Sequence, residues 1–307
     1  MKPSMIMLVG IPGSGKSTYA NKLAKEINAI VLSSDSLREE MFGDVNDQGH
    51  NEEVFKELHA RSKNLLSTLN NIIYDATNIK IKNRQSYLNE LKGIDCYKKC
   101  IVFATPYELC LQNNSQRDRV VPESVIKRMR ESFHFPLYNE GFDEIEFIWN
   151  MGDMKFSVNK LLKEAVEFDQ HNRHHSLTLG EHMWAAACQL PILGYNDLLF
   201  PAARLHDIGK METQVFADRN GNSADEARYY NHQYVGAYNA MFYLKQHQSP
   251  SFSDEEILHI CTLIQYHMHP YIAWKDSEKA KNRYQKLLGQ ELFDEIMILH
   301  EADVAAH

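Results

Sequence analysis

Residues Gly10-Ile11-Pro12-Gly13-Ser14-Gly15-Lys16-Ser17 set three glycines, a lysine and a hydroxyl at a spacing that commits the chain to one local structure. The run Met5–Val9 before them is short and apolar, as a buried parallel strand should be. Thr18 to Ile27 after them has its apolar residues at helical spacing. A strand must therefore turn tightly into a helix here, and glycine allows that turn. The amides of such a loop and of the helix N-terminus converge on one point, where an anion is favoured. Gly10, Gly13, Ser14, Gly15, Lys16, Ser17 and Thr18 are expected to cradle a polyphosphate such as that of ATP. Lys16 would neutralise the β- and γ-phosphates and Ser17 would hold Mg²⁺.

The 307 residues, 44% hydrophobic and 24% charged, suit a globular chain of two domains. No apolar run approaches the roughly 20 residues of a membrane span. Residues 1–9 lead straight into the first strand and do not read as a signal peptide. The five cysteines are odd in number and scattered, which points to a reducing, cytoplasmic setting. The net charge of −8 argues against broad coating of nucleic acid, though not against gripping a strand end. Charge and histidine are unevenly spread. Residues 1–150 carry 19 Lys and Arg against 20 Asp and Glu, whereas the remainder carries 14 against 21 and holds 12 of the 15 histidines. An acidic, histidine-rich half beside a phosphate-loop half suggests two chemistries, the second metal-dependent.

Strands are expected at 5–9, 29–32, 72–75, 99–104 and 144–148. Helices are expected at 16–27, 51–70, 83–92, 107–115 and 123–133. The alternation implies an α/β domain over residues 1–152, a parallel sheet with helices on both faces. Residues 150–156 read as a connector. From 157 to 307 strand signals vanish and the pattern predicts an all-α domain, with helices near 157–168, 178–190, 196–207, 231–247, 254–266, 276–288 and 290–305.

Three further clusters in the first half fit phosphoryl transfer. Ser34-Asp35-Ser36-Leu37-Arg38 follows the second strand, and open α/β sheets bind ligands at the carboxyl ends of their strands. Asp35 there could accept a proton from an attacking hydroxyl, or simply cap a helix over 36–42. Arg38 could hold an acceptor phosphate by paired hydrogen bonds. Asp75-Ala76-Thr77-Asn78 ends the third strand, so that Asp75 could hold Mg²⁺ through water and Thr77 and Asn78 could reach the acceptor. Arg117-Asp118-Arg119 precedes Pro122, which opens a helix. Arg117 and Arg119 are expected to form a mobile lid on the triphosphate.

Together these residues resemble the polynucleotide 5′-kinase family of phosphate-loop phosphotransferases. The resemblance covers about 150 residues. It includes the lid Arg117…Val121-Pro122-x-x-Val125-Ile126-x-x-Met129 and the tail Phe135-Pro136…Glu140-Gly141-Phe142-Asp143. It implies ATP and Mg²⁺ as cofactors, Asp35 as general base, Arg38 as ligand of the acceptor phosphate, and Arg117 on the ATP phosphates. Small-molecule kinases share the same outline.

The second half has its own anchor in Leu205-His206-Asp207-Ile208-Gly209-Lys210. A histidine and an aspartate at the end of an apolar helix are costly to bury without partners. His182 lies upstream; His232, His267 and Asp303 lie downstream on separate helical segments. Imidazole and carboxylate suit Mn²⁺, Fe²⁺, Co²⁺, Ni²⁺ or Zn²⁺. Residues 170–307 resemble the helical HD phosphohydrolase superfamily. That resemblance implies a metal site of His182, His206, Asp207 and Asp303. It also implies His232 and His267 as the added ligands of binuclear relatives, and Lys210 as a contact to substrate phosphate. His174 and His175 would line the site or pack at a helix start.

A kinase and a metal phosphoesterase on one chain suggest repair of both ends of a broken RNA. Ligation needs a 5′-phosphate and a free 3′-OH, so an RNA ligase is an expected partner in the same pathway. Two rival readings are a small-molecule kinase fused to a nucleotide phosphohydrolase, and a nucleotide-sensing regulator whose HD module does not turn over.

Overall fold

The computed structural model describes residues 2–172, 177–193 and 198–306. The chain divides into two compact units. One comprises Met1–Met129 and Pro136–Gly152, and the other Arg130–Phe135 and Asp153–His307. This differs from the expected division into 1–152 and 157–307, because the six residues Arg130–Phe135 belong with the second unit.

The first unit is an α/β layer structure. Its strands β1 (Ser4–Val9), β2 (Ala29–Ser33), β3 (Asn71–Asp75), β4 (Tyr97–Ala104) and β5 (Glu144–Trp149) form one sheet of order β2-β3-β1-β4-β5, with every pairing parallel. Strand residues alternate between faces. Ile6, Leu8, Ile73, Ile101 and Phe103 form a buried cluster on one face with Ala20, and Tyr19, Leu23, Ala24 and Ile27 of α1 (Lys16–Ile27) pack against it. Met5, Met7, Tyr74, Cys100 and Val102, of opposite parity, are buried as well, so the sheet is covered on both sides. The register sets Leu8 beside Asp75 and Ser33 beside Asp75. The carboxyl ends of β1, β2 and β3 are therefore abreast, and the residues after each are delivered to one edge.

Helices α2 (Ser34–Phe42), α3 (Asn51–Ser67), α4 (Ile81–Glu90), α5 (Tyr107–Ser115) and α6 (Glu123–Arg130) complete this part of the chain. The cap of α2 is Ser33, whose hydroxyl accepts from the Ser36 amide, so Asp35 lies inside the first turn and is not the cap. A buried pair ties the tail to the sheet edge. Arg84 of α4 donates to Glu140 through Nε (2.9 Å) and Nη2 (2.8 Å), and through Nη1 to the carbonyl of Asn78 (2.9 Å).

The second unit is mainly helical: α7 (Val158–Val166), α8 (Leu179–Leu193), α9 (Leu199–Leu205), α10 (Lys210–Thr213), α11 (His232–Lys245), α12 (Asp254–Tyr266), α13 (His269–Ile272), α14 (Glu278–Leu288) and α15 (Gln290–Val304). The expectation of an all-α half needs correction. Strands β6 (Gln214–Ala217) and β7 (Ser223–Tyr229) pair antiparallel across a turn whose Asp218 side chain accepts from the amides of Asn220 and Asn222. Strand β6 is only four residues long with Val215, Phe216 and Ala217 in a row, β7 is largely polar, and both are half exposed, so neither shows the apolar alternation that announces a strand. None of the described helices is long and apolar enough to cross a membrane.

Residues 130–135 are built into the core of this unit. The rings of Phe133 and Tyr238 meet edge to face at 5.2 Å, Phe135 is fully buried, and its amide donates to Gln265 Oε1 at 2.9 Å. Arg130 Nη2 pairs with Glu212 at 2.8 Å. Removing a buried phenyl ring costs about 3–5 kcal/mol. In calorimetry of the full chain, Phe133→Ala is expected to lower the transition of the helical unit. The P-loop unit's transition, identified by its upward shift with ATP, should stay in place.

Candidate functional site

Two sites emerge, one in each unit. In the first, the loop from Gly10 to Gly15 leaves β1 and opens α1. Gly13 has φ +83°, and a Cβ there would lie 2.1 Å from the carbonyl oxygen of Cys110, so no other residue fits. Neighbouring elements hold the loop. Gly10 N–H donates to Thr77 O (3.1 Å), Thr105 Oγ1 to Ser14 O (3.1 Å), and Asn113 Nδ2 to Gly13 O (2.9 Å). Thr105 and Asn113 carry no motif, and sequence reasoning missed them. Lys16 Nζ donates to the carbonyls of Gly10 (2.8 Å) and Ile11 (3.0 Å). Burial lowers its pKa to about 8, although Asp75 and Cys110 pull it back up. Burial raises the Asp75 carboxyl, while Lys16 and a hydrogen bond with Ser17 oppose the rise. Ser17, Asp75 and Lys16 therefore converge, as a magnesium-phosphate site requires.

Asn78 does not reach toward an acceptor. Its side chain turns inward and donates to Leu8 O at 2.8 Å, and φ is +50°. Its carbonyl is the one Arg84 holds, so Asn78 fixes the strand exit from which Thr77 supports Gly10.

Asp35 lies in the first turn of α2 with its side chain 46% exposed. Each of its oxygens meets a guanidinium: Oδ1 is 2.9 Å from Arg38 Nη1 and Oδ2 is 2.8 Å from Arg119 Nη1. Arg38 was expected to hold an acceptor phosphate, but it is buried, with Nη2 donating to Asn51 Oδ1 at 2.7 Å. Helix spacing explains this, since a residue three places on reaches back to Asp35 rather than outward. Arg119 was expected on the triphosphate, yet it pairs with Asp35 and donates through Nε to Asn46 Oδ1 at 2.8 Å. Arg117 acts elsewhere, its charge lowering the pKa of both Lys16 and Asp75. The loop carrying both arginines is pinned at its base by buried Asn114, which donates to Val121 O (2.8 Å) and accepts from Val121 N (3.0 Å).

In the second unit, six side chains from separate elements close on one another. His182 comes from α8, His206 caps α9, Asp207 follows it, His232 opens α11, His267 caps α12, and Asp303 lies in α15. All six are buried. They form two triads, His182–His206–Asp303 and Asp207–His232–His267. Asp207 touches both: Oδ2 lies 3.4 Å from His206 Nε2, and Oδ1 lies 3.2 Å from His232 Nε2 and 3.4 Å from His267 Nε2. Asp303 Oδ1 lies 3.0 Å from His182 Nε2 and 3.4 Å from His206 Nε2. Gly209 makes the arrangement possible, because a Cβ there would lie 2.0 Å from the carbonyl oxygen of His232.

The donor set fits divalent metal. Nδ1 of His206, His232 and His267 lies 2.7–2.8 Å from the carbonyls of Ala203, Tyr229 and Ile264. A carbonyl only accepts, so each Nδ1 carries the proton and each Nε2 faces the cluster. Nε2 of His232 and Nε2 of His267 are 3.3 Å apart, a contact between two lone pairs that a cation relieves. Ligands about 2.1 Å from an ion stand about 3.0–3.4 Å from one another in octahedral or tetrahedral geometry, the separations found here. The carboxylates also demand positive charge. Burial pulls His206 down, but Asp207 and Asp303 outweigh it and hold its pKa at about 10. Burial likewise opposes ionisation of Asp207, yet Lys210 and His206 hold it well below the carboxylate range.

Lys210 was expected on substrate phosphate. Its ammonium lies 2.7 Å from Asp207 Oδ2 and 2.9 Å from Gln170 Oε1. Tyr271, which sequence reasoning passed over, donates to Asp303 Oδ2 at 2.9 Å. His174 and His175 lie outside the described residues.

Residues 5–136 match the family model described as AAA domain. The first unit thus carries a kinase-like P-loop domain. The chain is 27% identical over 178 residues to the L-seryl-tRNA(Sec) kinase of Methanococcus maripaludis; the match covers 54% of this chain and 66% of that protein. It is also similar to a chain of the Pnkp1/Rnl/Hen1 RNA repair complex, at 30% identity over 41% of this chain and 42% of that one, with a TM-score of 0.38. A gluconokinase from Sinorhizobium meliloti matches at 15% identity over 48% of this chain and 83% of its own, with a TM-score of 0.35. The chain spans less than two thirds of the curated kinase.

For the kinase-like unit the position of Lys16 has a pH consequence. Phosphate binds the protonated amine, and bound phosphate raises the amine's pKa above its free value near 8. Affinity for ATP is therefore expected to be level below pH 8 and to fall as pH rises beyond it. Titration calorimetry from pH 6.5 to 9.5 measures this, and Lys16→Arg should remove the fall.

Proposed function

We propose that the chain heals both ends of broken RNA. The P-loop unit transfers the γ-phosphate of ATP to a 5′-OH, and the helical unit hydrolyses 2′,3′-cyclic or terminal phosphoesters with divalent metal. The observation that carries the reading is the joint presence of Asp35 beside a phosphate loop and a buried His/Asp double triad sharing Asp207. The curated relative supports an acceptor borne by RNA, since its name makes it a kinase of an aminoacylated tRNA.

In the kinase half, Lys16 and the loop amides bind the donor phosphates while Arg117 spreads positive charge over them. Ser17 and Asp75 would hold Mg²⁺. Asp35 takes the proton from the attacking 5′-hydroxyl, and Arg38 fixes the carboxylate's direction. In the helical half, His182, His206, Asp303 and Asp207 would hold one ion, and His232, His267 and Asp207 a second. Bound metal supplies hydroxide at neutral pH and polarises a phosphoryl oxygen. Lys210 keeps Asp207 ionised and Tyr271 orients Asp303. Opening the 2′,3′-cyclic phosphate with one water leaves a phosphomonoester, and a second water releases inorganic phosphate and frees the 3′-OH; with the 5′-phosphate these are the ends an RNA ligase joins.

The test uses radiolabelled ATP with 5′-OH RNA, and separately RNA ending in a 2′,3′-cyclic phosphate with Mn²⁺, Co²⁺ or Ni²⁺. Lys16→Ala and Asp35→Ala should each abolish 5′ labelling and spare hydrolysis. Asp207→Ala should lower hydrolysis by more than about a hundredfold and spare labelling. Elemental analysis should find divalent ions in the wild type and far fewer in Asp207→Ala. Labelling of a small metabolite but never of RNA would overturn the reading in favour of a small-molecule kinase. Metal binding without hydrolysis would favour a sensing module.

A further inference from the structure

The two guanidiniums on Asp35 differ in how they are held. Arg38 is 4% exposed, and its Nη atoms bind Asp35, the Ser34 carbonyl and Asn51. Arg119 sits on the loop staked by Asn114, with its side chain 26% exposed, and reaches Asp35 with Nη1 and Asn46 with Nε. A general base needs one carboxylate oxygen for the incoming hydroxyl. Arg38 cannot leave without stranding a buried charge, whereas Arg119 can swing into water. The oxygen that serves the acceptor is therefore the one Arg119 covers.

We propose that Arg119 is a specificity-determining residue of the kinase reaction: it covers Asp35 until a phosphate of the acceptor draws it away. The inference rests on the polynucleotide-kinase reading given above. A phosphodiester or terminal phosphate next to the 5′ nucleoside is a strong bidentate partner for a guanidinium and competes directly with a carboxylate. An acceptor bearing that phosphate uncovers its own general base. A bare nucleoside leaves Arg119 on Asp35. The two lid arginines, only two residues apart, then serve opposite ends of the reaction: Arg117 the donor and Arg119 the acceptor. Asn46 holds Arg119 in the covering position and so contributes to the same discrimination without touching either substrate.

The experiment measures kcat/KM for adenosine, adenosine 3′-monophosphate and a 5′-OH oligoribonucleotide, with KM for ATP, in wild type, Arg119→Ala, Arg119→Lys and Asn46→Ala. Wild type is expected to prefer the phosphorylated acceptors over adenosine by tenfold or more. In Arg119→Ala the preference should collapse to within about threefold, through slower use of phosphorylated acceptors and unchanged or faster use of adenosine. Arg119→Lys should keep part of the preference, and Asn46→Ala should raise the rate on adenosine alone. KM for ATP should stay within twofold throughout. A raised KM for ATP in Arg119→Ala with the preference intact would overturn the inference and return Arg119 to the donor side. An equal loss on all acceptors would overturn it as well. Wild type that labels none of these acceptors would sink the polynucleotide-kinase reading itself, and the inference with it, an outcome separate from an unchanged ratio in an active enzyme.

Discussion

The interior of the helical unit is governed by the cost of burying Asp207 and Asp303. An ionised carboxylate removed from water costs several kcal/mol unless positive charge surrounds it. Imidazoles on α8, α9, α11 and α12, the ammonium of Lys210 and the hydroxyl of Tyr271 all converge on these two groups. Much of the local architecture serves that convergence. The close approach at Gly209 lets α11 bring its first residue to Asp207. The carbonyls three residues before His206, His232 and His267 turn each ring so that Nε2 faces inward. Because each element contributes a side chain to the cluster, sliding any one of them would leave a buried charge unmatched.

The P-loop unit meets its demands differently. Its candidate site residues come from strand ends that the parallel register sets side by side, not from a compact cluster. The buried Arg84–Glu140 pair and Asn78 brace the edge from behind. Breaking such a buried pair typically costs about 3–5 kcal/mol. The Glu140-Gly141 tail is thus a structural part of the kinase-like unit.

Much of this was legible in the residues. Each strand of the parallel sheet was announced by a short apolar run, and the buried His/Asp cluster by the expense of placing histidine or aspartate in an apolar helix. The hairpin β6–β7 was not, because it is held by pairing and by the Asp218 turn, and its short strands carry no apolar alternation. Helix α2 was legible only as an alternative, a helix over 36–42 capped by Asp35, and it begins earlier than that: its first residues, Ser34-Asp35-Ser36, favour caps and turns as much as helix. Charge at Arg38 and Arg119 was visible, but the partner was not. A sequence gives the sign of a side chain, whereas the direction of Arg38 is set by its place one turn after Asp35 and that of Arg119 by the Asn114 staple. The charge of Lys210 was likewise visible, but its pairing with Asp207 was not.

The stretch Arg130–Phe135 bears on how the chain is assembled during synthesis. It leaves the ribosome with the end of α6 but before β5, the strand that completes the parallel sheet. Its partners Glu212, Tyr238 and Gln265 are made some eighty to one hundred and thirty residues later. Strand β5 can therefore join the edge of the sheet beside β4 while Phe133 and Phe135 still wait in the nascent chain. Between these two moments the polypeptide carries an aromatic segment with nowhere to pack, the kind of surface that chaperones recognise.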